Sequence, residues 1–371
     1  MDGRRNHRWR YLVFSCIGLL LVVTLGACRV RQNRSVALPH PSPSAAPVMP
    51  EVKLFPVRPK VSAAQYRHAD APLHFTANSA RYPAINAVFP HSRVVAVRTD
   101  KLAREGFRVE LDDDYYRARK LSPDGKRVAL TVPGTVCILT VADGAVENVG
   151  DQATRTTLFS TSEAFWDPHR PQALYLEGTF DPHETNGWGV WYEDLATEEI
   201  KLYMKGDTAN IDAIFPNDIL IFAVHNDVLT YYQIPLDQSL PPRKIDFKKA
   251  YGYFDAAPNM LYSAGNVNWP TISFYDIRKK RYMNISIENS IKKAHHRKKI
   301  DFSDISVNYW LPDSSGILNG FRDHKYTDLV KVLRNGKVTV YGTRVKVLSN
   351  SYNGKHWLVK AGKNYYVVSV R

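Results

Sequence analysis

Leu121-Ser122-Pro123-Asp124-Gly125-Lys126-Arg127-Val128-Ala129-Leu130 opens on a tight turn and runs at once into an apolar strand. Proline presets φ at the second turn position, and glycine accepts the positive φ that the turn requires. A second apolar run follows at Cys137 to Val141. After it comes Asp143-Gly144, a strong hairpin dipeptide, and one more short run. Together these segments predict a four-stranded antiparallel meander.

Looser copies recur along the chain. Val88-Phe89-Pro90-His91 precedes Val94 to Val97, and Trp166-Asp167-Pro168-His169 precedes Ala173 to Leu176. Ile214-Phe215-Pro216-Asn217 precedes Ile219 to Val224, and Ala257-Pro258-Asn259 precedes Met260 to Tyr262. Trp310-Leu311-Pro312-Asp313 precedes Ile317-Leu318, and Ser351-Tyr352-Asn353-Gly354-Lys355 precedes Trp357 to Val359. Successive units lie 33, 45, 48, 42, 54 and 40 residues apart, the period of propeller blades. One meander cannot bury both faces, so such units must pack around an axis. The pattern predicts an all-β propeller of four-stranded antiparallel blades over residues 73–371. Seven blades are expected. Six plus an irregular unit is the alternative, because the first interval leaves little room for an outer strand. The chain ends 18 residues after Asn353, enough for two more strands. Leu73 to Ala77 are expected to supply the missing outer strand and close the ring. The Ser-Pro-Asp-Gly-Lys signature and the meander resemble the WD40-like β-propeller repeats of the TolB type. The resemblance covers roughly residues 84–371 and is tightest at 121–130.

The N-terminus reads differently. Arg4, Arg5, Arg8 and Arg10 precede an uncharged, mostly apolar run from Tyr11 to Ala27, which ends in Leu25-Gly26-Ala27-Cys28. A basic start, an apolar core and small residues before the exit form an export signal. The last four residues resemble a bacterial lipobox. That resemblance implies cleavage before Cys28, lipidation of its thiol, and a place in the cell envelope. Arg29 after the cysteine implies an outer-membrane anchor facing the periplasm. An uncleaved single-pass signal anchor is the alternative. Residues 29–72 carry eight prolines, which fix φ and lack an amide donor, so this stretch reads as a flexible tether rather than a packed element. Largely extended, it could reach on the order of 100 Å at about 3.1 Å per residue.

The 371 residues carry 50 Lys and Arg against 36 Asp and Glu, a net charge of +14. Loss of residues 1–27, with four arginines and one aspartate, would leave +11. This balance favours anionic partners without choosing among them. Three cysteines cannot build a disulfide framework, and Cys137 reads as core.

Catalytic signatures are missing. There is no G-x-S-x-G, G-x-G-x-x-G, Walker A, H-E-x-x-H or C-x-x-C. Asp112-Asp113-Asp114 reads as a solvated acidic turn, and Asp181-Pro182-His183-Glu184 lacks metal-ligand spacing. No cofactor, metal or catalytic residue is expected. Two long connections are more informative. One, Glu177 to Trp188, carries His183, Glu184 and Trp188. The other, Glu288 to Asp304, carries Lys292, Lys293, Arg297, Lys298 and Lys299. In a propeller both open on one face, the Pro-Asp-Gly turns open on the other, and a shorter loop adds Trp269 to the first. These residues form the expected binding face. The partner would be an envelope protein or an anionic surface such as phospholipid, lipopolysaccharide or acidic glycan. Nucleic acid is not expected, since no stacking motif accompanies the basic run. The function expected is a membrane-tethered, non-catalytic scaffold. The alternative is a propeller enzyme acting on cell-wall or surface glycan. Paired carboxylates converging on the central channel would favour the enzyme.

Overall fold

Ser122 to Arg127 fold as their residue types require. Gly125 adopts a φ of 74°, and its N–H donates to the Ser122 carbonyl at 3.0 Å. Asp124 Oδ1 accepts from Ser122 Oγ at 2.7 Å and from the Lys126 N–H at 3.1 Å. The Arg127 N–H donates to Ser122 Oγ at 2.9 Å. The last unit repeats this bond for bond. Asn353 Oδ1 accepts from Ser351 Oγ at 2.7 Å and from the Lys355 N–H at 3.0 Å, and the His356 N–H reaches Ser351 Oγ at 2.9 Å. Tyr352 stands where Pro123 does, so proline is dispensable to the turn. The serine, the Asx side chain and the glycine are common to both turns.

The computed structural model describes residues 73 and 77–370, except 133–134, 152–155, 158–159, 180–188, 198, 206–208, 226–227, 246–253, 257–260, 265–270, 277–278, 280, 297–301, 313–314, 324–326 and 343. Among these residues, five sheets have four antiparallel strands in simple sequence order and a sixth has five. Blade 1 comprises Ala118–Leu121, Arg127–Val132, Thr135–Thr140 and Val146–Asn148. The innermost strands of blades 2 to 6 are Ser160–Asp167, Ala209–Ile214, Phe254–Ala256, Phe302–Trp310 and Val345–Asn350. Adjacent blades pack on one another in order, and the last packs on the first, so the sheets form a ring.

Two expectations are corrected by the sheet order. The described residues hold six blade sheets rather than seven, the alternative reading. The first repeat is not a blade: Arg93–Ala96 pairs antiparallel with Asn364–Ser369 and is the outer strand of blade 6. Ring closure therefore occurs, but at 93–96 instead of 73–77. Ala77–Asn78 sits one place further out, against Val94 and Arg93. Chain length explains this. Between Ala96 and Ala118 the chain forms the 3-10 turn Leu102–Glu105 and a loop that buries Leu102, Leu111 and Tyr116 between blades 6 and 1. That span is used for packing, so no further strands are made from it.

The core is divided among the seams between blades. Blades 1 and 2 share Ala129, Ile138, Trp166 and Leu174. Blades 2 and 3 share Tyr175, Tyr192, Ile219 and Ile221. Blades 5 and 6 enclose Trp357, whose indole N–H donates to the Gly354 carbonyl at 2.8 Å. Full burial of such side chains contributes roughly 1.5–3 kcal/mol each. Cys137 lies in this core as expected, fully buried, with its thiol pushed up to about 12 by burial.

One further correction concerns a surface segment. Asp112 is no solvated carboxylate. It accepts from Lys360 Nζ at 2.7 Å and Tyr365 Oη at 2.6 Å, with Lys346 Nζ at 3.4 Å. It ties the 98–117 connection to blade 6. The basic connection begins with a helix, Glu288–Ala294, that buries Ile291 beside Ile287 in the core of blades 4 and 5.

Candidate functional site

The strand ends before the turns converge on the channel. Arg117 to Leu121, Glu163, Phe165, Trp166, Asp212 to Ile214, Tyr309, Trp310 and Leu348 to Asn350 line a cavity of about 260 Å³ at the axis, with Pro123 and Tyr352 at its rim. These positions share a register, two to four residues before the turn proline or its Tyr352 equivalent, extended on blades 1 and 2. The cavity thus opens on the face of the Pro-Asp-Gly turns. That is opposite to the face that carries the helix Glu288–Ala294.

An inner strand has no partner on its axial side, and its backbone polar groups would be costly there without hydrogen bonds. Side chains of neighbouring blades provide them. Trp166 Nε1 donates to the Lys120 carbonyl at 2.8 Å, and Asn350 Nδ2 donates to the Trp310 carbonyl at 2.9 Å. Tyr309 Oη donates to the Leu348 carbonyl at 3.2 Å, and the Leu121 N–H reaches Ser349 Oγ at 3.1 Å. Hydrogen bonds between blades therefore cross-link the wall of the cavity at blades 1, 2, 5 and 6.

Its charge is mixed and unevenly placed. Arg117, Arg119 and Lys120 all come from blade 1, while Glu163 and Asp212 come from blades 2 and 3. Lys120 Nζ is 3.1 Å from Glu163 Oε2 and 4.5 Å from the centre of the Phe165 ring. A carboxylate and an aromatic face together hold that ammonium in one place. Arg119 is committed elsewhere: its guanidinium donates to the carbonyls of Leu111 and Asp113. Arg117 is exposed. Burial pushes the Tyr352 phenol up, and Asp167 acts in the same direction, so this hydroxyl stays protonated at neutral pH. Donors thus include Arg117, Lys120 and Tyr352, acceptors Glu163 and Asp212, and aromatic surfaces Phe165, Tyr309 and Tyr352.

Among the expected site residues, Lys292 and Lys293 lie on the helix Glu288–Ala294. Lys292 pairs with Glu288 at 2.5 Å, and Lys293 is exposed. Cys28, His183, Glu184, Trp188, Trp269, Arg297, Lys298 and Lys299 lie outside the described residues. The channel residues were not singled out from the sequence. A signal existed in the column of residues two to four before each turn, which collects Arg119-Lys120, Phe165-Trp166, Asp212 to Ile214, Tyr309-Trp310 and Ser349-Asn350. Among the described residues, no group of three His, Cys, Asp or Glu could hold a metal ion. No helix among them is long and apolar enough to cross a membrane.

No family model matches the chain, and no curated protein matches it. Among solved structures it is similar to a TolB of Agrobacterium tumefaciens, at 13% identity and a TM-score of 0.44, over 68% of this chain and 88% of that one. A TolB of Acinetobacter baumannii matches at 14% identity and a TM-score of 0.41, over 68% of this chain and 63% of that one. The β-propeller domain of the trilobed protease of Pyrococcus furiosus matches at 11% identity and a TM-score of 0.43, over 68% of this chain and 81% of that one.

Proposed function

We propose that the protein is a membrane-tethered, non-catalytic propeller that serves as a binding scaffold for an envelope protein or an anionic polymer, with the turn-face mouth of its channel as the working surface. The supporting observation is the mouth itself: Arg117, the Lys120–Glu163 pair, hydrogen-bonding groups and aromatic rings line a cavity whose inner strands are hydrogen-bonded between blades. Cys28 carries the lipid, residues 29–72 form the tether, and the propeller faces the periplasm from the outer membrane. The basic connection, with Lys292, Lys293, Arg297, Lys298 and Lys299, is a second contact on the opposite face.

Affinity isolation from detergent-solubilised membranes tests this reading. Arg117→Gln is expected to lose the partner that the wild type recovers, with an unchanged melting curve. Replacing the five cations of the basic connection by glutamine should weaken recovery and reduce its salt dependence. Recovery unchanged in both variants would refute the scaffold. Cys28→Ser should abolish lipid labelling and leave unprocessed precursor. Unchanged labelling would make the uncleaved apolar segment the anchor.

A glycan-processing enzyme is the second reading, favoured by Glu163 and Asp212 on adjacent blades of the same cavity. It predicts product release from wall or surface glycan by the wild type and none from Glu163→Gln or Asp212→Asn.

A further inference from the structure

Charge is unevenly spread on the face opposite the turns. The helix Glu288–Ala294 packs on Val338–Tyr341, the outer strand of blade 5, and exposes Lys293. Arg344 leads from that strand into Val345–Asn350 of blade 6, where Lys346 stands opposite Lys360. Lys363 lies in the hairpin between His356–Ala361 and Asn364–Ser369. Lys346 and Lys360 share the one carboxylate of Asp112, which leaves a single positive charge in excess there. Glu288 neutralises Lys292. Lys293, Arg344 and Lys363 are exposed and make no ion pair among the described residues. The exposed acids Glu105, Glu110, Asp113 and Asp114 lie on the connection that crosses to blade 1, interleaved with Lys101, Arg104 and Arg108. The basic excess is therefore confined to blades 5 and 6.

The tether joins the propeller at this same place. Ala77–Asn78 runs antiparallel to Arg93–Ala96, with Asn78 opposite Arg93. Arg93 stands opposite Ser369 at the turn end of blade 6, and Ala96 opposite Tyr366, beside the Lys363 hairpin. The first strand after the tether thus starts from the basic side and heads toward the turns. Leu73, four residues earlier, packs on the core between blades 6 and 1. A tethered surface meets its membrane as an intramolecular contact, so weak attractions suffice. The basic sector also lacks what a protein partner needs, a large apolar anchor. Leu240 is the exposed large hydrophobic residue among the described ones, and it lies in a blade 3 hairpin on the turn face.

We propose that blades 5 and 6 rest their connection face on the anionic phospholipid headgroups of the membrane that holds the tether, through Lys293, Arg344, Lys363 and the lysine excess at Asp112. The turn face and the channel mouth are then directed away from the bilayer. This rests on the membrane-tethered part of the proposed function and names the partner of its second contact. Each cation close to an anionic bilayer is worth roughly fivefold in binding.

The test is amide hydrogen exchange of the full-length protein held in lipid nanodiscs, either phosphatidylglycerol-rich or purely phosphatidylcholine. The anionic discs should slow exchange in 288–294, 342–346 and 361–364, and leave the turns 122–127 and 351–356 unchanged. Half-molar salt should abolish the difference, because it screens beyond a few ångströms. The triple variant Lys293→Gln, Arg344→Gln, Lys363→Gln should weaken the contact on the order of a hundredfold and lose the protection. Lys126→Gln, Lys337→Gln, Lys355→Gln removes the same charge from the turn face and should keep it. The proposal is overturned if both discs give one exchange pattern, if the turns are the protected segments, or if the two triple variants act alike. It is equally overturned if soluble polyphosphate protects the same segments in phosphatidylcholine discs, since the site would then take an anion without a bilayer. Retention of the protein in both discs reports on the tether, and partner recovery by Arg117→Gln reports on the channel mouth. Failure of either reading is thus separate from failure of this one.

Discussion

Asp112 shows how one residue acquires a role from its neighbours. Burial pushes its carboxyl up, but the hydrogen bonds from Lys360 and Tyr365 and the charges of Lys346 and Lys360 outweigh burial and hold it well below the usual carboxylate range. A depressed folded value means that its contribution is complete above the unfolded value near 4 and is lost as the pH falls toward the folded one. His356 behaves likewise at higher pH. Burial lowers it from its ordinary 6.5, with Asp124 opposing and Lys355 adding to the effect. The unfolded chain therefore takes up a proton first, and stability declines as pH drops below about 6.5. Denaturant unfolding against pH should show two descending limbs, one starting near 6.5 and one near 4. His356→Gln should flatten the first and Asp112→Asn the second. At pH 7, Asp112→Ala should cost about 2–3 kcal/mol, the scale for hydrogen bonds to a charged group. A single unaltered profile in Asp112→Asn would mean that the contact with blade 6 adds nothing.

At the level of elements, the tight turns do more than reverse the chain. They lock one blade to the next. A Cβ on Gly354, at a φ of 68°, would sit 2.7 Å from backbone atoms of Trp310, Leu311 and Pro312 in blade 5. One on Gly125 would meet the His356 ring of blade 6 at 2.8 Å. Gly336, at a φ of 88°, has open space around it. Gly336→Ala should therefore cost only the left-handed backbone term, roughly 1–2 kcal/mol. Gly354→Ala adds a collision with backbone that cannot rotate away and should cost clearly more. Equal unfolding midpoints for the two variants would show that the turns do not interlock. The same turns place the channel residues, because the register that ends each inner strand at its proline also sets which side chains reach the axis.

For the whole molecule, the ring closes through a strand that precedes all the blades. Val94 and Val95 of that strand are buried, and pairing with Asn364–Ser369 covers an edge that would otherwise recruit other chains. Removal of residues 1–72 should leave the melting temperature of the propeller nearly unchanged. Extending the deletion through residue 97 should lower it sharply and promote aggregation. A closure at 73–77 would instead make a deletion through residue 78 as harmful as one through 97. Val94→Asp, which puts a carboxylate in a fully enclosed apolar position, should destabilise by more than about 4 kcal/mol.

The sequence by itself determined the blade architecture and the turn chemistry. Both follow from short-range rules, such as Asp143-Gly144 closing a hairpin or Ser351, Asn353 and Gly354 forming the same bonds as Ser122, Asp124 and Gly125. It also placed Cys137 in the core, since an apolar strand on both flanks leaves a thiol little else to do. The tertiary structure alone decided which blade the strand Arg93–Ala96 completes. An apolar run of four reads the same in an inner or an outer strand, and its partner lies some 270 residues away. The role of Asp112 was equally hidden, because Lys346, Lys360 and Tyr365 meet it only once the ring is shut. The channel mouth belongs with these. Lys120, Glu163, Asp212 and Tyr352 come from four different repeats, and no spacing along the chain records that an axis brings them within one cavity.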